Sequence, residues 1–380
     1  MNITEQITEL TRRLVQTPSQ NGIDSEAAVA KIVSEHLSSF GFHPEQVGPS
    51  DHPSIICTID RGEGKTVWLE SCLDTVSSGD EAKWSFPPFG AHIEGDRMFG
   101  RGVADCKVGV SLFCYLAKAL SEDSAFQGKL FLGFDAEEQG GQFTGVQEVL
   151  KHAPEADICI LGYQGDREIS IGARGWLRLK LTTRGESSHT GSRSQRGVNA
   201  IHQMVRALST LQDLDLQKVE PYFEFGSSFH VAQIGGGVAI NIVPDRCEVS
   251  IDIRLVPSQT KESVVEEIKA ALGRLSGSDD SFRYELEELQ SEQAYLTDPS
   301  DSFVRVLQEE AEKVLERKVP LVASGQGSVG NVISQRGVPI INAFGCESDN
   351  VHAPDEWVNL GSIPRTFEIY RQAILKFAQS

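Results

Sequence analysis

The spacing of apolar residues changes twice along this chain, and that change constrains the fold more than any single motif. Up to about residue 174, apolar runs of strand length alternate with helical stretches. From there to about 289 the strands alternate apolar with polar, and then the first texture returns. "SIICTI", "TVWLESC", "KLFLGFDAEE" and "ADICILGY" read as buried strands, and "VGVSLFCYLAKAL" is apolar almost all round, as a buried helix would be. Strands alternating with helices in this way make an α/β layer fold on a largely parallel sheet. "MNITEQITELTRRLVQ" places Ile3, Ile7, Leu10 and Leu14 at helical spacing. "DSEAAVAKIVSEHLSSFGF" puts Val29, Ile32, Val33, Leu37 and Phe40 on one face, with Asp24 or Ser25 as N-cap and Gly41 as the stop.

In the middle stretch, "WLRLKLTTRG" has a period of two, which suits a sheet with one wet face. A helix at "VNAIHQMVRALSTL" follows, then strands at "SFHVAQIGGG" and "CEVSIDIRLV", a helix at "ESVVEEIKAALGRL" and a strand at "FRYELEEL". The order β-α-β-β-α-β is the ferredoxin-like split motif. The reading is therefore a discontinuous α/β domain over 1–174 and 290–380, interrupted by a ferredoxin-like domain over 175–289. In the returning segment come a helix at "FVRVLQEEAEKVL", a strand at "PIINAFG" and a last helix carrying Phe367, Tyr370, Ile374 and Phe377.

Charge excludes some functions. A formal net charge of −19 argues against a nucleic-acid partner and against a polybasic membrane anchor, both of which need clustered Lys and Arg. No stretch approaches the roughly 20 apolar residues of a membrane span, and the N-terminus lacks the pattern of a signal peptide. Seven Cys with no CxxC pair read as reduced thiols, which gives a cytoplasmic expectation.

Three groups with chemistry stand at the carboxyl ends of expected strands, where α/β sheets place their sites. They are Cys72 with Asp74, Asp105 in "FGRGVADCKVG", and Glu137 with Glu138 in "FDAEEQGG". His352 follows in the loop "DNVHAPDE". Asp105, Glu138 and His352 form a mixed nitrogen and oxygen set suited to Zn²⁺, Mn²⁺ or Co²⁺. Taken singly each has a plainer reading: an Asp at a helix start caps it, paired Glu are solvated, and a buried Cys is a small apolar filler. Their combination in this order is more specific.

That order resembles the zinc peptidase family of acetylornithine deacetylase, succinyl-diaminopimelate desuccinylase, aminoacylase-1 and carboxypeptidase G, over nearly the full length. "WSFPPFGAHIEGDRMFGRGVADCKVG" is the most specific stretch, and "AEEQGG", "RGESSHTGSRSQRGVNAI", "INIVPDRCEVSIDIR" and "VHAPDEWV" match further motifs in order. The resemblance implies an α/β/α catalytic domain with an inserted lid and dimerisation domain, hence a homodimer acting on a small-molecule substrate. It implies that Asp105 bridges two metal ions, with a cis peptide bond after it, and that Glu138 and His352 bind one of those ions. Glu137 falls on the general base that takes a proton from the attacking water, and Asp74 on an acid supporting the first ligand. His189 falls on the lid histidine that reaches the partner subunit's site and steadies the oxyanion. Asn241 and Arg254 fall on residues that engage the substrate, Arg254 holding its carboxylate.

The chain also departs from the family. Cys72 stands where the family has His, and Tyr163 where it has Glu or Asp; both positions ligate the same ion. "SGQGSVGN", Ser324 to Asn331, stands where members often carry an Asp near the substrate. The expectation is one Zn²⁺ per subunit (Mn²⁺ or Co²⁺ being possible) on Asp105, Glu138 and His352. The second ion is left open, Cys72 being an atypical ligand and Tyr163 a filler or hydrogen-bond donor. The activity expected is cleavage of the amide of a small N-acyl amino acid or dipeptide-like compound. The alternatives are a descendant that binds a small ligand without cleaving it, or one in which Cys72 or Tyr163 does new chemistry.

Overall fold

A computed structural model describes residues 1–193 and 197–379, so residues 194–196 of the "RGESSHTGSRSQRGVNAI" stretch lie outside the described residues. The chain divides into two compact units. One comprises residues 1–172, 296–324 and 328–380, and the other residues 173–295 with 325–327.

The first unit is built on a six-stranded sheet in the order Glu45–Val47, Ser54–Asp60, Lys129–Asp135, Thr66–Cys72, Ile158–Leu161, Ile340–Ile341. Thr66–Cys72 lies at its centre, parallel to the strands on both sides. Ser54–Asp60 alone runs against the other five strands, antiparallel to both its neighbours, so the sheet is largely parallel with one reversed strand. Only residues 61–65 separate Ser54–Asp60 from Thr66–Cys72, too few for the crossover that a parallel return requires. Cys72 is level with Asp135 in the ladder, so the Cys72 and Glu137–Glu138 motifs leave the sheet side by side.

The helix Val108–Glu122 is buried along most of its length, as its apolar composition requires. Gly109 lets it approach the sheet: a Cβ there would stand 2.1 Å from the Gly162 carbonyl oxygen. Asp105 does not open this helix. It sits in a preceding kinked turn, Val103–Lys107, with non-helical torsions at Asp105 and Cys106 and a cis bond between them. Of the two residues expected to cap the helix Ala27–Ser39, Ser25 bonds its first N–H and Asp24 does not. Ser25 Oγ accepts from the Ala27 N–H at 3.1 Å, whereas Asp24 turns back to the Gln20 N–H at 3.0 Å. Gly41, at φ +85°, ends that helix. The "PIINAFG" strand is short, Ile340–Ile341.

The second unit has the ferredoxin-like order. Its strands lie as Ser228–Gly236, Arg246–Leu255, Gly175–Arg184, Arg283–Glu292, each antiparallel to its neighbours. Period two selects the core: Leu177, Leu179, Leu181, Val249, Ile251 and Ile253 join the apolar faces of helices Ala200–Gln212 and Lys261–Ser278. Arg178 with Asp252, and Lys180 with Glu248, ion-pair from the alternate positions of the same two strands.

Candidate functional site

The carboxyl end of the first unit's sheet gathers Cys72, Asp74, Asp105, Cys106, Glu138, Tyr163 and His352. His352 Nε2 is 2.8 Å from Asp105 Oδ2, which joins residues 247 apart in sequence. His352 itself has φ +63°, and Asn350 and Asp355 in the same loop are also left-handed. Non-glycine residues rarely take that conformation, at a cost of roughly 1–3 kcal/mol each, so the loop holds an arrangement its own backbone disfavours.

Glu356, one residue beyond Asp355, fixes the other side. Its fully buried carboxylate accepts from the Gly102, Ala104 and Asp105 N–H groups at 3.0, 3.0 and 3.1 Å, and from Arg101 Nη1 at 2.6 Å. The side chain from the His352 loop thus shapes the turn that presents Asp105. Sequence reading passed over Glu356, although "VHAPDEWV" contains it. An acid beside a Trp in a polar loop reads as solvated, and only the fold shows it covered. Arg101, the residue that neutralises it, lies in the quoted "GRG" stretch.

Asp74 does not direct its carboxylate at the Cys72 thiol. It accepts from the Glu138 and Gln139 N–H groups at 3.1 and 2.9 Å and from Asn21 Nδ2 at 3.0 Å. Its role here is to hold the strand end that carries Glu138. Burial raises its pKa to about 7. Glu137 and Glu138 have different partners. Glu138 is buried and accepts from the Tyr163 hydroxyl at 2.7 Å, while Glu137, at φ +54°, accepts from Thr144 Oγ1. Tyr163 is therefore a donor to Glu138.

The electrostatics show why this cluster suits a cation. Burial, with Asp105 and Asp74 nearby, holds the Glu138 carboxyl well above the ordinary range. A hydrogen bond with Cys106 pulls the Cys72 thiol down, but burial and the facing Glu138, Asp105 and Asp74 outweigh it, and the thiol ends well above its usual value. The hydrogen bond to Asp105 raises His352. The nearby basic groups are committed elsewhere. Lys107, lowered by burial to about 7, donates to the Leu14 and Thr17 carbonyls at 2.8 and 2.9 Å, and Arg101 to Glu356. Acids packed this closely repel one another, and a divalent ion would relieve that repulsion. Among the described residues, Cys72, Cys106 and Asp105 are the group whose donor atoms lie within 4.8 Å of one another, a set that includes neither Glu138 nor His352.

The remaining site residues from the sequence lie in the second unit. His189 bridges Ile242, and its Nδ1 accepts from the Gly191 N–H at 3.0 Å. The carbonyl of Asn241 accepts from the Thr190 N–H at 3.0 Å, so His189 and Asn241 sit on paired segments. Arg254 is ion-paired to Asp252 at 2.8 Å.

Comparison with known proteins places these observations. A family model described as a peptidase dimerisation domain matches residues 171–280. Succinyl-diaminopimelate desuccinylase of Hydrogenovibrio crunogenus is 27% identical, over 97% of each chain. Among solved structures, aminopeptidase PepT from Bacillus cereus superposes with a TM-score of 0.81 at 21% identity, covering 99% of each chain. An M20 family metallo-carboxypeptidase from Sulfolobus solfataricus gives 0.80 at 18%, covering 99% of this chain and 100% of the other.

Proposed function

We propose, since this chain belongs to the M20 peptidase family, that it is a metal-dependent amidohydrolase acting on the amide of a small N-acyl amino acid or dipeptide-like compound that bears a carboxylate. The observation that carries the reading is the junction of Asp105 and His352 at 2.8 Å beside buried Glu138, with the neighbouring Glu137 bonded to Thr144 instead of Tyr163. An ion on Asp105, Glu138 and His352 (Zn²⁺, with Mn²⁺ or Co²⁺ as alternatives) would acidify a water and polarise the scissile carbonyl.

The protein's own part is positioning and proton transfer. Glu137 stays outside the donor set, takes the proton of the attacking water and returns it to the leaving amine. Asp74 keeps Glu138 in place through the two backbone N–H groups. Tyr163 orients one Glu138 oxygen. Glu356 holds the turn that presents Asp105. In this reading the first unit is catalytic and the second is the lid. His189 steadies the oxyanion, Asn241 engages the substrate, and Arg254 exchanges Asp252 for the substrate carboxylate, for which its planar fork is suited.

We also propose a homodimer in which His189 serves the partner's site. The Ser228–Gly236 strand is the edge of its sheet and is exposed along most of its length. Ile234, Val238 and Ile240 on and after it are 59%, 86% and 100% exposed, an apolar edge of the kind that pairs with a second copy.

The test of the chemistry is Glu137→Gln, assayed on a panel of N-acyl amino acids and dipeptides. The expected result is a loss of roughly 10²–10⁴ in kcat with the bound metal retained. An unaltered rate overturns the role given to Glu137. A panel left uncut by the unaltered protein, loaded with any of the three ions, overturns the amidohydrolase.

A further inference from the structure

We propose that Cys72, Cys106 and one oxygen of Asp105 form a pocket for a thiophilic divalent ion, beside the Asp105–Glu138–His352 position. The inference rests on the functional reading above and adds Cys106, which that reading does not use, together with a metal preference.

The geometry is specific. The sulfurs of Cys72 and Cys106 and a carboxylate oxygen of Asp105 all lie within 4.8 Å of one another, and all three residues are buried. Two thiolates on one tetrahedral zinc, with bonds of about 2.3 Å, stand about 3.8 Å apart, inside the 4.8 Å bound, and the Cys106 Sγ–Asp105 Oδ1 contact of 2.7 Å would open to about 3.5 Å around the ion. Among the described residues this is the one group of three His, Cys, Asp or Glu donors so close together.

The donors are also held from independent directions. Cys72 ends the central strand, in register with Asp135, and Cys106 sits in the turn tied down by Glu356. Asp105 faces both ways. Its Oδ2 meets His352 at 2.8 Å, and its Oδ1 accepts from Cys106 Sγ at 2.7 Å. A carboxylate whose two oxygens turn to different partners is arranged to join two sites. Tyr163, at a position where the resemblance leads one to expect an acid, spends its hydroxyl on Glu138. Gln139 Nε2, 3.7 Å from Cys72 Sγ, closes the pocket with a neutral amide.

Binding is a ligand exchange with no oxidation. Each thiol gives its proton to solvent, two sulfur–metal bonds and one oxygen–metal bond form, and water leaves the ion. Thiolates favour Zn²⁺ and Cd²⁺, whereas Mn²⁺ and Mg²⁺ prefer oxygen. The pocket therefore takes a soft ion that a site of carboxylates and imidazole would not select.

The experiment is a Co²⁺ titration of the metal-free, full-length protein, read in the near-ultraviolet, where sulfur-to-cobalt charge transfer absorbs. The expected result is a thiolate band at saturation that Zn²⁺ or Cd²⁺ abolishes and Mn²⁺ leaves in place. Cys72→Ser and Cys106→Ser should each remove about half of its intensity, and Cys247→Ser, in the other unit, none. Cobalt bound without the band overturns the pocket, as does a band unchanged in Cys106→Ser. The unaltered protein already decides the first point, so a poorly folding variant does not rescue the proposal. Amide cleavage without the band refutes the pocket and leaves the proposed function standing. The band without amide cleavage does the reverse.

Discussion

At the residue scale, the site divides into covered, firmly bonded side chains and more open ones. Asp105, Cys72, Glu138 and Asp74 are buried and bonded to their surroundings, while Glu137 and His352 are more open and sit on left-handed backbone. His352→Ala should remove one donor of three, and calorimetry should show metal affinity falling 10-fold or more, with the melting temperature of the metal-free protein little changed. A variant that binds as tightly as the unaltered protein would place the ion elsewhere. Tyr163→Phe removes only the donor to Glu138, so a modest loss of activity is expected and full abolition is not. That Asp105, Glu138 and His352 come to one end of the sheet was legible in the sequence, because they sit in motifs with recognisable neighbours. Cys106 was not. It stands next to Asp105 in every reading of the sequence, but only the turn geometry brings its sulfur to Cys72 and Asp105.

At the element scale, the fold was legible wherever hydrophobic period decided the outcome, and illegible where a long-range contact did. Thr66–Cys72, the buried helix Val108–Glu122 and the strands of the second unit follow directly from their patterns. The antiparallel Ser54–Asp60 strand does not, since direction depends on the short connection rather than on composition. The Glu356 contact is another such case. Glu356→Ala leaves Arg101 buried without its acid, and a loss of about 3–5 kcal/mol in stability is expected from chemical denaturation. A loss within about 0.5 kcal/mol, the usual range for surface changes, would mean the turn is held by other contacts.

The helix Ala27–Ser39 carries a pH effect. Burial, with Arg13 and Lys118 nearby, lowers His36 to about 4, and its ring lies edge-on to Phe40 and Tyr115. The unfolded chain binds the proton near 6.5 and the folded chain only near 4. This contribution is therefore intact above pH 6.5 and lost as pH falls toward 4, by up to about 3 kcal/mol. Denaturation midpoints across that window should fall more steeply for the unaltered protein than for His36→Phe. Parallel slopes would assign the acid sensitivity to other groups.

At the scale of the whole molecule, the second unit was visible from the sequence as a change of period, and its order of strands and helices followed from that alone. Its exposed edge was harder to foresee, since a strand's neighbours are not written in its own residues. Ile234→Lys should convert a dimer to a monomer in analytical ultracentrifugation without unfolding the unit, because the side chain is exposed. An unchanged sedimentation coefficient would move the interface to another surface. The central claim is that this chain cleaves amides with a metal ion held by Asp105, Glu138 and His352. The most direct measurement is elemental analysis of the purified, unchelated protein, with an N-acyl amino acid panel run on the same sample before and after chelation. The account expects at least one tightly held ion per subunit, amide cleavage that chelation abolishes, and recovery when Zn²⁺, Mn²⁺ or Co²⁺ is restored. Protein without metal, or cleavage that survives complete removal of the ion, would contradict it.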